Sequence, residues 1–187
     1  EGGRASRGKA IVNLIAKDAN ETIASYVGVK NFEDPLYVMM ATQQGLIKKV
    51  KLSEFSNPRR SGIAAMSLGK GDRLIGVRLT DGSQDIVIGT REGMAIRFHE
   101  QEVRSMGRTA SGVRAINLEK GDRAIGAVAL RRAGTTILIA TELGYGKRSE
   151  TDEYRVSHRG GKGIITVKTT DKTGRMVAIK EVVEKED

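Results

Sequence analysis

The residues best placed to do chemistry lie between Ser157 and Gly163, in the run S-H-R-G-G-K-G. Glycines let a backbone approach an anion closely and adopt positive φ at little steric cost. Successive N–H groups in such a turn form a nest for phosphate, and Arg159 and Lys162 add charge-assisted donors. The turn Arg159, Gly160, Gly161, Lys162 and Gly163 is therefore a candidate phosphate cradle, with an ordinary strand-linking loop as the plainer alternative. No Ser or Thr follows Lys162 and no helical pattern opens there, which excludes a P-loop for nucleotides. Catalysis finds little else to use. His99 and His158 have no partner at metal-ligand spacing, and no nucleophile, base and orienting group can be assembled. Tyr26, Tyr37 and Tyr154 occupy apolar runs or slots and are expected to pack in a core. Tyr145 follows a turn glycine with nothing to activate it. Asp72 and Asp122 sit in repeated turns and suit capping.

Charge gives the first pointer to a partner. The 187 residues carry 32 Lys and Arg against 23 Asp and Glu, a formal charge of +9. Such an excess concentrates polyanions or anionic membranes near the surface. No apolar run approaches the roughly 20 residues needed to span a bilayer. The chain has no cysteine, which rules out a disulfide framework and fits a reducing compartment. Seven aromatic residues without Trp are few for a protein that stacks single-stranded bases.

The elements that must position these residues repeat at about 50 residues. A-T-Q-Q-G (41–45), G-T-R-E-G (89–93) and A-T-E-L-G (140–144) align, and Thr42, Thr90 and Thr141 lie 48 and 51 apart. Glu54-Phe55, Glu102-Val103 and Glu153-Tyr154 recur in the same register, as do Gly8, Gly62, Gly112 and Gly163 and the two K-G-D turns at 70–72 and 120–122. Within the second period, runs 63–68, 73–79, 85–90 and 94–98 are short, β-branched and bounded by Gly and Asp, which predicts four strands. H-E-Q-E-V-R (99–104) offers one helical turn. The expected fold is all-β, a propeller-like array of four-stranded blades that complete their cores by stacking. Approximate blades are 1–57, 58–107 and 108–158, with a partial fourth at 159–187 holding strands I-I-T-V-K and M-V-A-I-K-E-V-V and an acidic tail. The half blade means either an array cut from a longer one, which we favour, or last strands that complete the first blade.

The cations recur with the period. Three and four residues past each turn glycine stand Lys48 and Lys49, Ile96 and Arg97, and Lys147 and Arg148. Four before the second glycine series stand Arg4, Pro58, Arg108 and Arg159, and Arg104 and Arg155 lie 51 apart. Loops add Arg7, Lys9, Arg59, Arg60, Arg114 and Lys162. Equivalent positions of stacked blades share an edge, so one cation per blade predicts a line of positive charge along a rim. Duplex DNA carries one negative charge per about 1.7 Å of axis, and such a line can neutralise its phosphates without reading bases.

At R-G-K-A-I-V-N-L (7–14), V-R-S-M-G-R-T-A-S-G-V-R (103–114) and T-E-L-G-Y-G-K-R (141–148) the chain resembles the C-terminal domain of the DNA gyrase A protein. The resemblance implies a β-pinwheel, a propeller-like disc with a basic rim that wraps double-stranded DNA and supports ATP-dependent negative supercoiling by the holoenzyme. It implies no catalytic residue in this segment, because the cleavage tyrosine and the ATPase lie elsewhere, and no cofactor, ATP and Mg2+ belonging to the holoenzyme. The implied partners are DNA, the rest of the gyrase A protein and the gyrase B protein in a heterotetramer, in the bacterial cytoplasm on the chromosome. The family also carries a box, Q-R-R-G-G-K-G, in its first blade. Arg159, Gly160, Gly161, Lys162 and Gly163 match it, while Ser157 and His158 depart from it, so this turn reads as a secondary copy. Two alternatives stand: the equivalent domain of topoisomerase IV, which binds DNA without strong chiral wrapping, and a propeller used as a protein-interaction platform.

Overall fold

A computed structural model describes residues 8, 15, 20–59, 62–131 and 134–183. Its basic unit is a hairpin closed by the T-x-x-G turn: β1 (Tyr37–Thr42) with β2 (Leu46–Lys51), β4 (Asp85–Thr90) with β5 (Met94–His99), and β8 (Thr136–Thr141) with β9 (Gly146–Glu150). The turn's chemistry is local. Gly45 N donates to Thr42 O at 3.0 Å, the Thr42 hydroxyl accepts Leu46 N at 3.2 Å, and Gly45 holds φ at 80°. A glycine at positive φ after a tight turn matches the twist of the flanking strands. β-branched residues on the strands favour the pleat.

A third strand joins each hairpin on its first strand: β3 (Leu74–Thr80) on β1, β7 (Ala124–Leu130) on β4, and β11 (Met176–Val182) on β8, all antiparallel. The fourth strand comes from further along the chain. β6 (Val113–Arg114) pairs back onto β2, and β10 (Ile164–Ile165) pairs back onto β5. The sheet orders are β3-β1-β2-β6, β10-β5-β4-β7 and β11-β8-β9. The fold is all-β, as expected, and its only described helical turns are three short 3-10 turns at Leu52–Phe55, Glu100–Glu102 and Thr151–Glu153. None is long and apolar enough to cross a membrane.

This topology corrects the assembly read from the sequence. A sheet is not four consecutive runs. Strand β3, placed with the second blade by sequence spacing, closes the first sheet, and residues 63–68 form no strand, their backbone being held by isolated bonds such as Ser67 N to Ala110 O at 3.4 Å and the Lys48 ammonium to Ala65 O. The run at 164–168 pairs over only two residues.

The sheets stack face to face. On β1, Met39 and Ala41 point to the second sheet, and Val38 and Met40 point away. On β4, Ile86 and Ile88 face the first sheet and Val87 faces the third. This two-residue alternation gives the middle sheet two apolar faces. Burying side chains such as Ile88 and Phe98 contributes about 1.5–3 kcal/mol each. β7 packs between β3 and β11, so these three strands form the inner line of the stack, and β2, β5 and β9 lie toward its outside. Tyr154 is buried and hydrogen-bonds Thr166 at 2.5 Å, as packing requires, whereas Tyr26 is 85% exposed and leaves the expected core. Tyr26 precedes β1 in a segment without strand pairing, so no second layer covers it.

The K-G-D turns cap the hairpins, as their aspartates suggested. Asp72 Oδ1 accepts Gln44 N at 2.9 Å and Arg73 N at 2.8 Å, and Asp122 Oδ1 accepts Glu92 N at 3.0 Å and Arg123 N at 2.7 Å. Asp72→Ala strands two backbone donors, and we expect a loss of about 1–3 kcal/mol. It is read as a lower urea midpoint at unchanged m, and an unchanged midpoint would show that the cap contributes nothing.

Candidate nucleic-acid interface

The outer edges of the first two sheets are each sealed by a strap, a segment that leaves a 3-10 turn and pairs backward; residues 56–59 and 62–68, which follow the first 3-10 turn, are the first strap and lie beside the second. The second strap, residues 103–118, leaves its 3-10 turn and pairs Ser105 in parallel with Lys49. It then returns to the first hairpin turn, where Ala115 N donates to Gly45 O at 2.8 Å. The third strap, residues 154–167, does the same on the second sheet, with Arg97 paired to Val156 and Thr166 N donating to Gly93 O at 2.9 Å. Straps also touch one another. Ser67 Oγ donates to Thr109 O at 2.6 Å, Gly160 N to Ala115 O at 2.7 Å and Asn117 N to Gly161 O at 2.9 Å. The rim is thus a continuous run of straps laid over the strand edges.

This layer sorts the expected cations. Lys48 and Lys49 are buried beneath straps and are corrected from rim to interior. The Lys48 ammonium donates to Ala65 O at 2.8 Å and to Arg108 O, tying two straps together, and burial holds its pKa below the usual lysine value. Lys49 donates to Glu100 O at 3.0 Å. Arg97 is likewise taken inside: its guanidinium holds Asp85 Oδ2 at 2.7 Å and donates to Thr151 O and Tyr154 O at 2.8 and 3.2 Å. The reason is common to all three, since each lies on an outer strand of the first two sheets that a following strap covers. Lys147 and Arg148 lie on β9, where no described strap covers them, and are exposed. Lys147 pairs with Glu153 at 3.3 Å, and Arg148 Nε donates to the Thr136 hydroxyl at 2.5 Å.

The straps carry the outward charge. Arg59, Arg104, Arg114 and Arg155 are exposed, and none has an ion pair with a described residue; Arg108 is half-buried. Arg4, Arg7, Lys9 and Arg60 lie outside the described residues. The glycine-rich turn sits on the third strap, but its arginine is occupied. Arg159 Nε donates to Glu102 O at 3.0 Å, Nη1 to Arg114 O at 2.9 Å, and its backbone N to the Glu102 carboxylate at 3.1 Å. Where β2 has Lys48, β5 has Ile96, and Arg159 makes the strap-to-strap tie instead. The repeated Glu of the sequence supplies a partner here, Glu102 holding the following strap through Arg159.

Lys162 remains at the surface, two-thirds exposed and 2.6 Å from Glu119. That bond raises the lysine pKa and lowers the glutamate pKa. The pairing is complete between the two ordinary values. It is lost as pH falls through the depressed carboxyl pKa, or rises through the raised ammonium pKa. Glu119→Gln releases Lys162 at neutral pH and should steepen the slope of log K against log salt for duplex binding by up to about 0.9. A slope equal to wild type would show that Lys162 faces no phosphate.

These features define a class: strand-exchanged β-sheets stacked around an inner strand line, with arginine-bearing straps as the outer rim. The family model for the DNA gyrase C-terminal domain, beta-propeller, matches three times, over residues 36–81, 84–131 and 135–182. The chain belongs to this family. The three matched segments begin just before β1, β4 and β8, in phase with the observed hairpins. The DNA gyrase A protein of Salmonella typhimurium is 43% identical over 182 residues, which cover 97% of this chain and 21% of that protein. The chain therefore spans about a fifth of the length of the curated relatives it matches. A solved C-terminal domain of DNA topoisomerase IV superposes with TM-score 0.87 at 27% identity, covering 95% of this chain and 55% of that one. A solved DNA gyrase A C-terminal domain superposes with TM-score 0.85 over 96% of this chain and 60% of that one; at 24% identity it supports the fold alone.

Proposed function

We propose that this chain is a non-catalytic module of the gyrase A protein of a type II topoisomerase, binding duplex DNA along its strap rim and bending it. One observation carries the reading: Arg104 and Arg155, 51 residues apart in sequence, occupy equivalent exposed positions on contiguous straps in a chain of the gyrase C-terminal family. Contacts of this kind are to phosphate, so sequence preference comes from duplex deformability. In the holoenzyme the bent duplex serves ATP-dependent negative supercoiling. Cleavage and ATP hydrolysis with Mg2+ are supplied by the rest of the gyrase A protein and by the gyrase B protein, in a heterotetramer in the bacterial cytoplasm. The engaged Arg159 favours a second reading, binding without chiral wrapping of the topoisomerase IV type.

Anisotropy titration of a labelled duplex across salt concentrations tests the binding. The expected result is a log–log slope of magnitude at least about 4, with duplex preferred over single strands. Salt-insensitive or absent duplex binding would favour a protein-interaction platform instead.

A further inference from the structure

The cations four residues past the turn glycines share a contact as well as a position. Lys49 donates to the carbonyl of Glu100 at 3.0 Å, and Arg97 donates to the carbonyl of Thr151 at 2.8 Å. Glu100 and Thr151 are themselves equivalent, each opening the 3-10 turn that follows the next hairpin. The same repeat position therefore reaches the same backbone carbonyl of the following sheet, although one side chain is a lysine and the other an arginine. The charged head of each cation has a carboxylate beside it as well. Lys49 lies 3.7 Å from the Glu100 carboxylate and 4.9 Å from the centre of the Tyr37 ring, and Glu100 is fixed by Thr80, Gly82 and Gln84. Arg97 is fixed by Asp85 at 2.7 Å. The backbone at these residues receives the strap: Met106 N donates to Lys49 O and Ser157 N to Arg97 O, each at 2.9 Å. One residue thus grips the next sheet's 3-10 turn with its side chain and the strap leaving that turn with its carbonyl.

We propose that Lys49 and Arg97 are positioning residues that fix the angle between successive sheets, and so the curve along which the strap arginines meet DNA. They touch no phosphate themselves. The proposal rests on the DNA-bending reading, but its geometric part does not need DNA to be tested.

The sharpest variant is the neutral pair Arg97→Gln with Asp85→Asn in the 187-residue chain, because a lysine at 97 would retain the grip that Lys49 makes. The pair leaves no carboxylate without its cation, and the shorter amide does not reach the two carbonyls. The chain has no native cysteine, so spin labels at Gln101→Cys and Asp152→Cys, both exposed and one in each 3-10 turn, report the angle directly. Without DNA, the distance distribution should broaden roughly twofold on the neutral pair. With DNA, the writhe fixed per bound chain should fall to about half or less, while the salt slope stays within about half of one phosphate contact. Arg97→Met with Asp85→Asn carries the same readings if that pair does not fold. An unchanged distance distribution overturns the proposal, as does a salt slope lowered by about 0.9, which would place Arg97 on a phosphate. If the chain binds no duplex, the label distances alone decide, so failure of the DNA reading and failure of the hinge reading remain distinct.

Discussion

Replacing Arg59, Arg104, Arg114 and Arg155 together by glutamine lowers the log–log salt slope of duplex binding by about 3.6 and weakens binding at least about a hundredfold near 0.15 M salt. All four are exposed on straps without a described ion pair, so their removal leaves the core and the strap ties intact. The thermal midpoint is expected to stay within a few degrees of wild type, as for surface changes away from packed features. Net charge alone would also weaken binding, and a matched control separates place from amount. Lys70, Arg73, Lys120 and Arg123 are equally exposed but lie beside the hairpin turns, at the K-G-D caps. Converting these four to glutamine removes the same formal charge, and the slope should change by less than about one contact. Equal losses from both sets would mean that the protein attracts DNA by basicity without a rim.

The second large effect is on folding. Gly163 holds φ at 80°, and a Cβ built there would stand 2.1 Å from Ala95 O and 2.6 Å from Ala95 C. Neither atom can move, because Ala95 is paired in the middle of the second sheet and lines its core. Gly163→Ala must therefore lift the strap from β5 or distort the ladder, and should cost about 3–5 kcal/mol. Gly112 makes the equivalent approach on the first sheet, 2.6 Å from Ile47 O. Gly71 is the control: its φ is 74°, but a Cβ there would meet nothing within 4 Å, so Gly71→Ala should cost only about 1 kcal/mol. Denaturant midpoints compare the two directly. Similar losses at both sites would mean that strap docking contributes little to the fold.

How much of this was legible in the sequence follows from the range of each interaction. The T-x-x-G hairpins, the K-G-D turns and the 3-10 turn at 100–102 are local, and their residue types announce them, whereas the bonds by which Asp72 and Asp122 cap the hairpins span 28 and 30 residues. Strand exchange is not local. The bonds that bring Val113 to Ile47 and Ile164 to Ala95 depend on which edge is free when the chain returns, and nothing in a run of two residues encodes that edge. The same gap misplaced Lys48, Lys49 and Arg97. Periodicity places equivalent residues in equivalent environments, but it does not say whether that environment is a rim or the seam beneath it. The strap arginines are equally periodic and differ only in lying on the covering segment. In the glycine-rich turn, Arg159 is spent on neighbouring carbonyls and Lys162 on Glu119, partners that lie more than forty residues away and leave no mark in the turn itself.

The most direct test of a rim that bends DNA along a handed path, as the supercoiling reading requires, is the linking number fixed when nicked circular DNA is sealed by ligase with the chain bound. A curved strap rim predicts a shift of one sign that grows with the number of bound chains and disappears when Arg59, Arg104, Arg114 and Arg155 are replaced. No shift at saturating binding, or a shift that survives their replacement, would contradict it.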